Sequence, residues 1–186
     1  MVGLVLCRFI ETDERERLDN LPDHYFTMTS YLSSIDSQLP AGSTLFFGDS
    51  QIQHLCVSCV ESGAANFGIG HDTTSGLLHR LIDYRSLAIA KRVLVAIGTN
   101  DLKRRDNRAV INNYQKIIAA IPAEVDLYWL AILPIDSAYQ STHGRQNRRI
   151  TEINQAARRL CLARPGCRFI DVTEALADDH GDLRGD

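Results

Sequence analysis

The sequence predicts an α/β domain of three layers, with a five-stranded, mostly parallel sheet between helices in a flavodoxin-like arrangement. Three observations carry this. Short apolar runs alternate along the chain with longer stretches whose apolar residues recur at helical spacing. Two of the runs, T-L-F-F-G-D-S at Thr44 to Ser50 and V-L-V-A-I-G-T-N-D-L at Val93 to Leu102, end in Gly followed by polar residues, as buried parallel strands do at their carboxyl ends. The 186 residues, 45% hydrophobic and 23% charged, suffice for one domain with a sizeable core.

Residues 1–43 are expected to form an N-terminal arm and helix packed on the domain, and residues 44–186 the domain itself. The apolar start, Val2 to Ile10, reads as an edge strand or packed arm, since it lacks the basic region and small-residue cleavage site of a secretory signal. A helix lies within Thr12 to Gln38, with Tyr25, Met28, Tyr31, Leu32 and Ile35 at helical spacing, and Pro40-Ala41-Gly42 stops it. Thr44 to Phe47 is a strand, followed by a helix after Ser50 that carries Ile52, Leu55, Cys56 and Cys59. Ala64 to Phe67 is a short strand. Thr73 or Thr74 caps the next helix, which turns Leu77, Leu78, Leu81 and Ile82 inward. Arg92 to Ile97 is a strand, and Asn107 to Ile121 a helix with Val110, Tyr114, Ile117 and Ile118 inward. Val125 to Leu133 is a strand. Arg145 to Ala163 is a helix with Ile150, Ile153, Ala157 and Leu160 on one face, and Arg168 to Val172 the last strand. Alternation of this kind implies right-handed crossovers, which put the strand-end loops on one rim.

Bulk properties narrow the function. The formal net charge is −3 with no long basic run, so nucleic acid is not an expected partner. No apolar stretch reaches the ~18 residues of a membrane span. Five cysteines without a second C-x-x-C speak against a disulfide framework or a four-thiolate zinc site. They read as small buried hydrophobes in a reducing, cytoplasmic compartment, and no metal cluster is visible.

Three loops hold chemistry. Gly48-Asp49-Ser50 projects a hydroxyl from the rim and starts a helix, so Ser50 is either a nucleophile with a well-placed backbone N–H or merely an N-cap. Asn66 to Thr74 holds Gly68 and Gly70 and is either a loop whose backbone comes close to a ligand or a tight turn. Gly98-Thr99-Asn100-Asp101 offers an Asn amide suited to a developing oxyanion, or another helix cap. Lys103-Arg104-Arg105 beyond it reads as a solvated face.

Together these three pieces, in order and spacing, resemble the SGNH, or GDSL-type, hydrolase family. The resemblance runs from about Thr44 to Asp186, and N-F-G-I-G-x-D-T-T is most similar to the platelet-activating-factor acetylhydrolase-like branch. It implies a serine ester hydrolase of small acyl or acetyl esters that needs no cofactor. Ser50 would be the nucleophile, and the oxyanion hole would comprise the N–H of Ser50, the Gly70-His71 backbone and the Asn100 side chain.

This chain departs from the family pattern twice. His71 stands where that branch has its oxyanion glycine; a positive φ there would cost His on the order of 1 kcal/mol. The D-x-x-H block that supplies the base is absent from the 186 residues, which suggests a truncated form with impaired activity. The late histidines, His143 and His180, are candidate substitutes. A bare apolar face and a homodimer are further expectations of truncation. Two other readings stay open: a non-catalytic SGNH-like module that binds a ligand or partner, and a phosphate-binding domain, for which the usual glycine motifs are missing.

Overall fold

The computed structural model describes residues 23–136 and 143–184, the side chains of 143–145 excepted. Residues 1–22, among them the arm expected at Val2 to Ile10, and residues 137–142 and 185–186 lie outside the described residues.

Five parallel strands form one sheet in the order β2-β1-β3-β4-β5: β1 (Thr44–Gly48), β2 (Ala65–Gly68), β3 (Arg92–Ala96), β4 (Asp126–Leu130) and β5 (Cys167–Ile170). This is the doubly wound order in which chain direction across the sheet reverses beside β1. Leu45, Phe47, Phe67, Val93, Val95, Leu127 and Trp129 alternate onto one face. There they meet α1 (Asp23–Asp36), α4 (Thr74–Leu81), α5 (Asn107–Ala120) and α6 (His143–Leu162) in the main core. The other face carries Phe46 and Ala96, covered by the short helices α2 (Ser50–Gln53) and α3 (Val57–Val60) through Ile52 and Val57. Beside α3, whose Val60 forms one wall, Phe46, Leu94, Tyr128 and Ile170 line a groove of about 250 Å³. A last short helix, α7 (Thr173–Leu176), follows β5.

The helix expected within Thr12 to Gln38 is seen from Asp23, anchored by Tyr25 Oη donating to Gly76 O at 2.7 Å and by Asp36 accepting from the N–H groups of Arg85 and Ser86. Four expectations are corrected. The helix after Ser50 is two, broken at His54 to Cys56, and Leu55 is exposed. Ile82, the C-cap of α4 and still in helical conformation, falls off the buried stripe of Leu77 and Leu81 and is exposed. The fourth strand stops at Leu130, and the carboxamides of Asn154 and Asn147 take up the backbone of Ile132 and Ile135 instead of a neighbouring strand. The cysteines are not simply buried thiols: Cys56 and Cys59 are exposed and bonded to each other, and Cys161, at the end of α6, is bonded to Cys167, at the start of β5. Among the described residues, no helix is long and apolar enough to cross a membrane.

Candidate active site

Gly48 sits in register with Gly68 on one side and Ala96 on the other, so the loops that follow β1, β2 and β3 emerge side by side. They do so where the strand order reverses, the place an open α/β sheet forms a crevice. Gly48 is required here, since a Cβ would stand 2.3 Å from Ala96 O. Asp49 caps α2, its Oδ1 accepting from Gln51 N–H at 3.0 Å. Ser50 follows, half-buried, as the first residue of α2. Its N–H lies in the first turn, where no intrahelical acceptor exists.

The second loop is held to the first by side chains. Asn66 Nδ2 donates to Ile52 O at 2.7 Å and Leu55 O at 3.1 Å, while its Oδ1 accepts from Gly68 N–H at 2.8 Å. Gly70 N–H donates to Gln53 Oε1. Gly70 is therefore not a free donor, which corrects the expectation that it shares the task with His71. His71 is the one non-glycine residue with positive φ among the described residues, at 65°. Its ring is exposed, and its backbone N–H has no acceptor among them.

In the third loop, Asn100 Nδ2 donates to Asp72 O at 2.9 Å. A carbonyl can only accept, so the nitrogen is assigned, and its second N–H is left over. Asp101 is fully buried and accepts from Thr74 N–H at 2.9 Å, Thr74 Oγ1 at 2.7 Å and Arg105 Nη1 at 2.9 Å. It thus pins the start of α4, and the cap of α5 falls to Asp106. Arg105 is consequently part of the loop's scaffold; only Lys103 and Arg104 of the basic triplet are exposed. Burial pushes the Asp101 carboxyl above its ordinary range.

Burial also pushes Asp49, 1% exposed, up to about 6, with the Asp101 charge adding to the rise and the Gln51 N–H opposing it. Between about 4 and 6 the folded chain holds a proton there that the unfolded chain lacks, so this group's contribution to stability falls as pH rises through that window. Asp49→Asn keeps an acceptor for Gln51. It is expected to melt above the parent at pH 7, by up to ~3 kcal/mol in stability, with the gap closing below pH 4. A gap independent of pH contradicts this reading.

His180 does not share a hollow with the three loops. His180 is exposed and lines a hollow of about 440 Å³ with Asn147, Arg158, Asp171 and Thr173; the His143 side chain lies outside the described residues. A histidine that sequence reading passed over, His54, does lie next to Ser50: Nδ1 is 2.8 Å from the Ser50 carbonyl and donates to it. Its i+4 spacing from Ser50 was the available signal. Among the described residues, no cluster of three or more His, Cys, Asp or Glu could hold a metal.

The model of the GDSL-like lipase/acylhydrolase family matches residues 46–186. Among solved structures, the chain is similar to a protein from Streptococcus pneumonia assigned provisionally as a platelet activating factor. The TM-score is 0.77 at 21% identity, covering 98% of this chain and 87% of that one. It is also similar to a GDSL-like lipase from Bacteroides thetaiotaomicron (TM-score 0.71, 13% identity, 84% and 83% covered). A third is the lipase/acylhydrolase from Enterococcus faecalis (0.63, 20%, 77% and 88%). At these identities the likeness is one of fold. No curated protein matches.

Proposed function

The chain belongs to the GDSL-like lipase/acylhydrolase family, and on that premise we propose that it is a serine ester hydrolase for small acyl or acetyl esters. Ser50 Oγ adds to the ester carbonyl carbon, its proton passing to a base, and the alcohol departs to leave an acyl-enzyme that water then cleaves. The observation that supports this is the set of N–H groups without acceptors on three adjoining loops: Ser50, His71 and the second N–H of Asn100. Aimed at one oxygen, they would stabilise the tetrahedral intermediate. His71 serves through its backbone, so its side chain is dispensable for that task.

The base is the weak link. The 186 residues hold no D-x-x-H, and no described histidine is hydrogen-bonded to Ser50 Oγ. Without an oriented imidazole the oxyanion hole gives only residual catalysis. A second reading is a non-catalytic binding module that keeps the crevice. Two cystines argue against the reducing cytoplasm expected from the cysteine count.

Incubation with p-nitrophenyl acetate separates the readings. The hydrolase reading expects one acetyl group per chain by mass and turnover below ~1 s⁻¹, the low end of the enzyme range. A chain that stays unacetylated supports the binding module, and faster turnover reveals a base within these residues.

A further inference from the structure

One buried ion pair lies beneath the three loops and has no part in the chemistry above. Resting on the serine-hydrolase reading, we propose that Arg80 is a positioning residue. Its guanidinium locks Asp72, and through Asp72 both the His71 N–H and the Asn100 amide, to the strand end that carries Ser50.

Arg80 and Asp72 are both fully buried. Arg80 Nε and Nη2 each lie 2.9 Å from Asp72 Oδ2, which leaves Oδ1 to accept from Thr73 N–H at 2.8 Å. The same Nη2 donates to Gly48 O at 3.3 Å, and Nη1 to Tyr84 Oη at 3.4 Å. Phe47 and Tyr84 close over the guanidinium at 5.9 and 6.0 Å. One rigid plane therefore spans the end of β1 and the loop after β2. Gly48 O also accepts from Ile69 N–H at 3.0 Å, so the two loops share that carbonyl.

Each proposed donor is referred to this pair. Ser50 stands two residues past Gly48, His71 one residue before Asp72, and Asn100 is bonded to Asp72 O. His71 holds a backbone conformation that a side chain disfavours. Such a conformation persists where the surroundings over-determine it, and Asp72, fixed through its side chain and its carbonyl, does so. Stability alone is a poor account of the pair, because a buried ion pair is often no better than apolar packing of the same volume. Geometry is the better account: a guanidinium presents several donors in a fixed plane, whereas lysine supplies a point charge on a flexible stem.

The test is Arg80→Lys in the full chain, read two ways: amide hydrogen exchange by NMR, and the second-order rate of Ser50 labelling by a fluorophosphonate. The Ile69, Asp72 and Thr73 amides are expected to exchange at least ~10-fold faster while those of Val93 and Val95 in β3 are unchanged. Labelling is expected to slow by ~10²-fold, as a misplacement of about 1 Å would cause. Unchanged exchange in the loop overturns the proposal. So does equal acceleration in β3, which marks a merely structural role. Should the lysine variant not fold, Arg80→Met with Asp72→Asn removes both charges at similar volume and is judged by the same two readouts. If the loop responds as stated but the parent Ser50 takes up no phosphonate, the hydrolase reading fails while the anchoring of the loop by Arg80 stands.

Discussion

Ser50→Ala is expected to eliminate the acyl-enzyme entirely: no acetyl group on the chain after p-nitrophenyl acetate, against one on the parent. The hydroxyl is the only atom lost. Asp49 still caps α2 and Ile52 still packs on Phe46, so the turn keeps its shape. Covalent capture is the right readout because turnover depends on a partner as well. Where an oriented imidazole serves the serine, losing the nucleophile costs ~10⁶-fold in turnover, whereas the covalent adduct needs the Ser50 hydroxyl whatever the base. Acetylation of a folded Ser50→Ala chain at the same site and rate removes Ser50 from the mechanism.

Asn100→Ala is expected to slow acetylation of Ser50 by ~10²–10³-fold, the range for removing one oxyanion donor. The change deletes the N–H proposed for the oxyanion hole and the one that ties the third loop to Asp72 O. The second loss should cost about 1 kcal/mol of stability, small beside the effect on rate. Asn100→Asp keeps the shape but sets a carboxylate against the Asp72 carbonyl, and should be at least as slow. An Asn100→Ala chain acetylated at the parental rate shows that the amide only caps its loop.

The sheet was legible because its strands are short apolar runs, the first two ending in Gly, and because alternation with helices leaves little choice of topology. Leu45 and Phe47 pack on one face and Phe46 on the other, as a strand buried on both sides requires. A positive φ at His71 entered the sequence reading only as a conditional cost, and the structure has it. What sequence did not disclose depends on tertiary proximity. Gln53 takes the Gly70 N–H from 17 residues away, and Asp101 holds Thr74 from 27. The cystines likewise required knowing that the end of α6 returns beside β5. Arg80 did leave a signal. It falls on the same stripe of α4 as Gly76, Leu77 and Leu81, and a charge on an apolar stripe needs a buried partner. Asn147 and Asn154 stood in the stretch that carries the family likeness, but as polar positions on an amphipathic helix they did not disclose that they fasten the segment after β4 to α6.

The central claim is that Ser50 is a nucleophile set among backbone and side-chain donors on one rim. The most direct measurement is peptide mapping by mass spectrometry after exposure of the folded chain to a fluorophosphonate. The account predicts a single adduct, on Ser50, absent after heat denaturation because unfolding disperses the donors that hold the developing charge. An adduct on another residue, or a folded chain that takes up none, would contradict it.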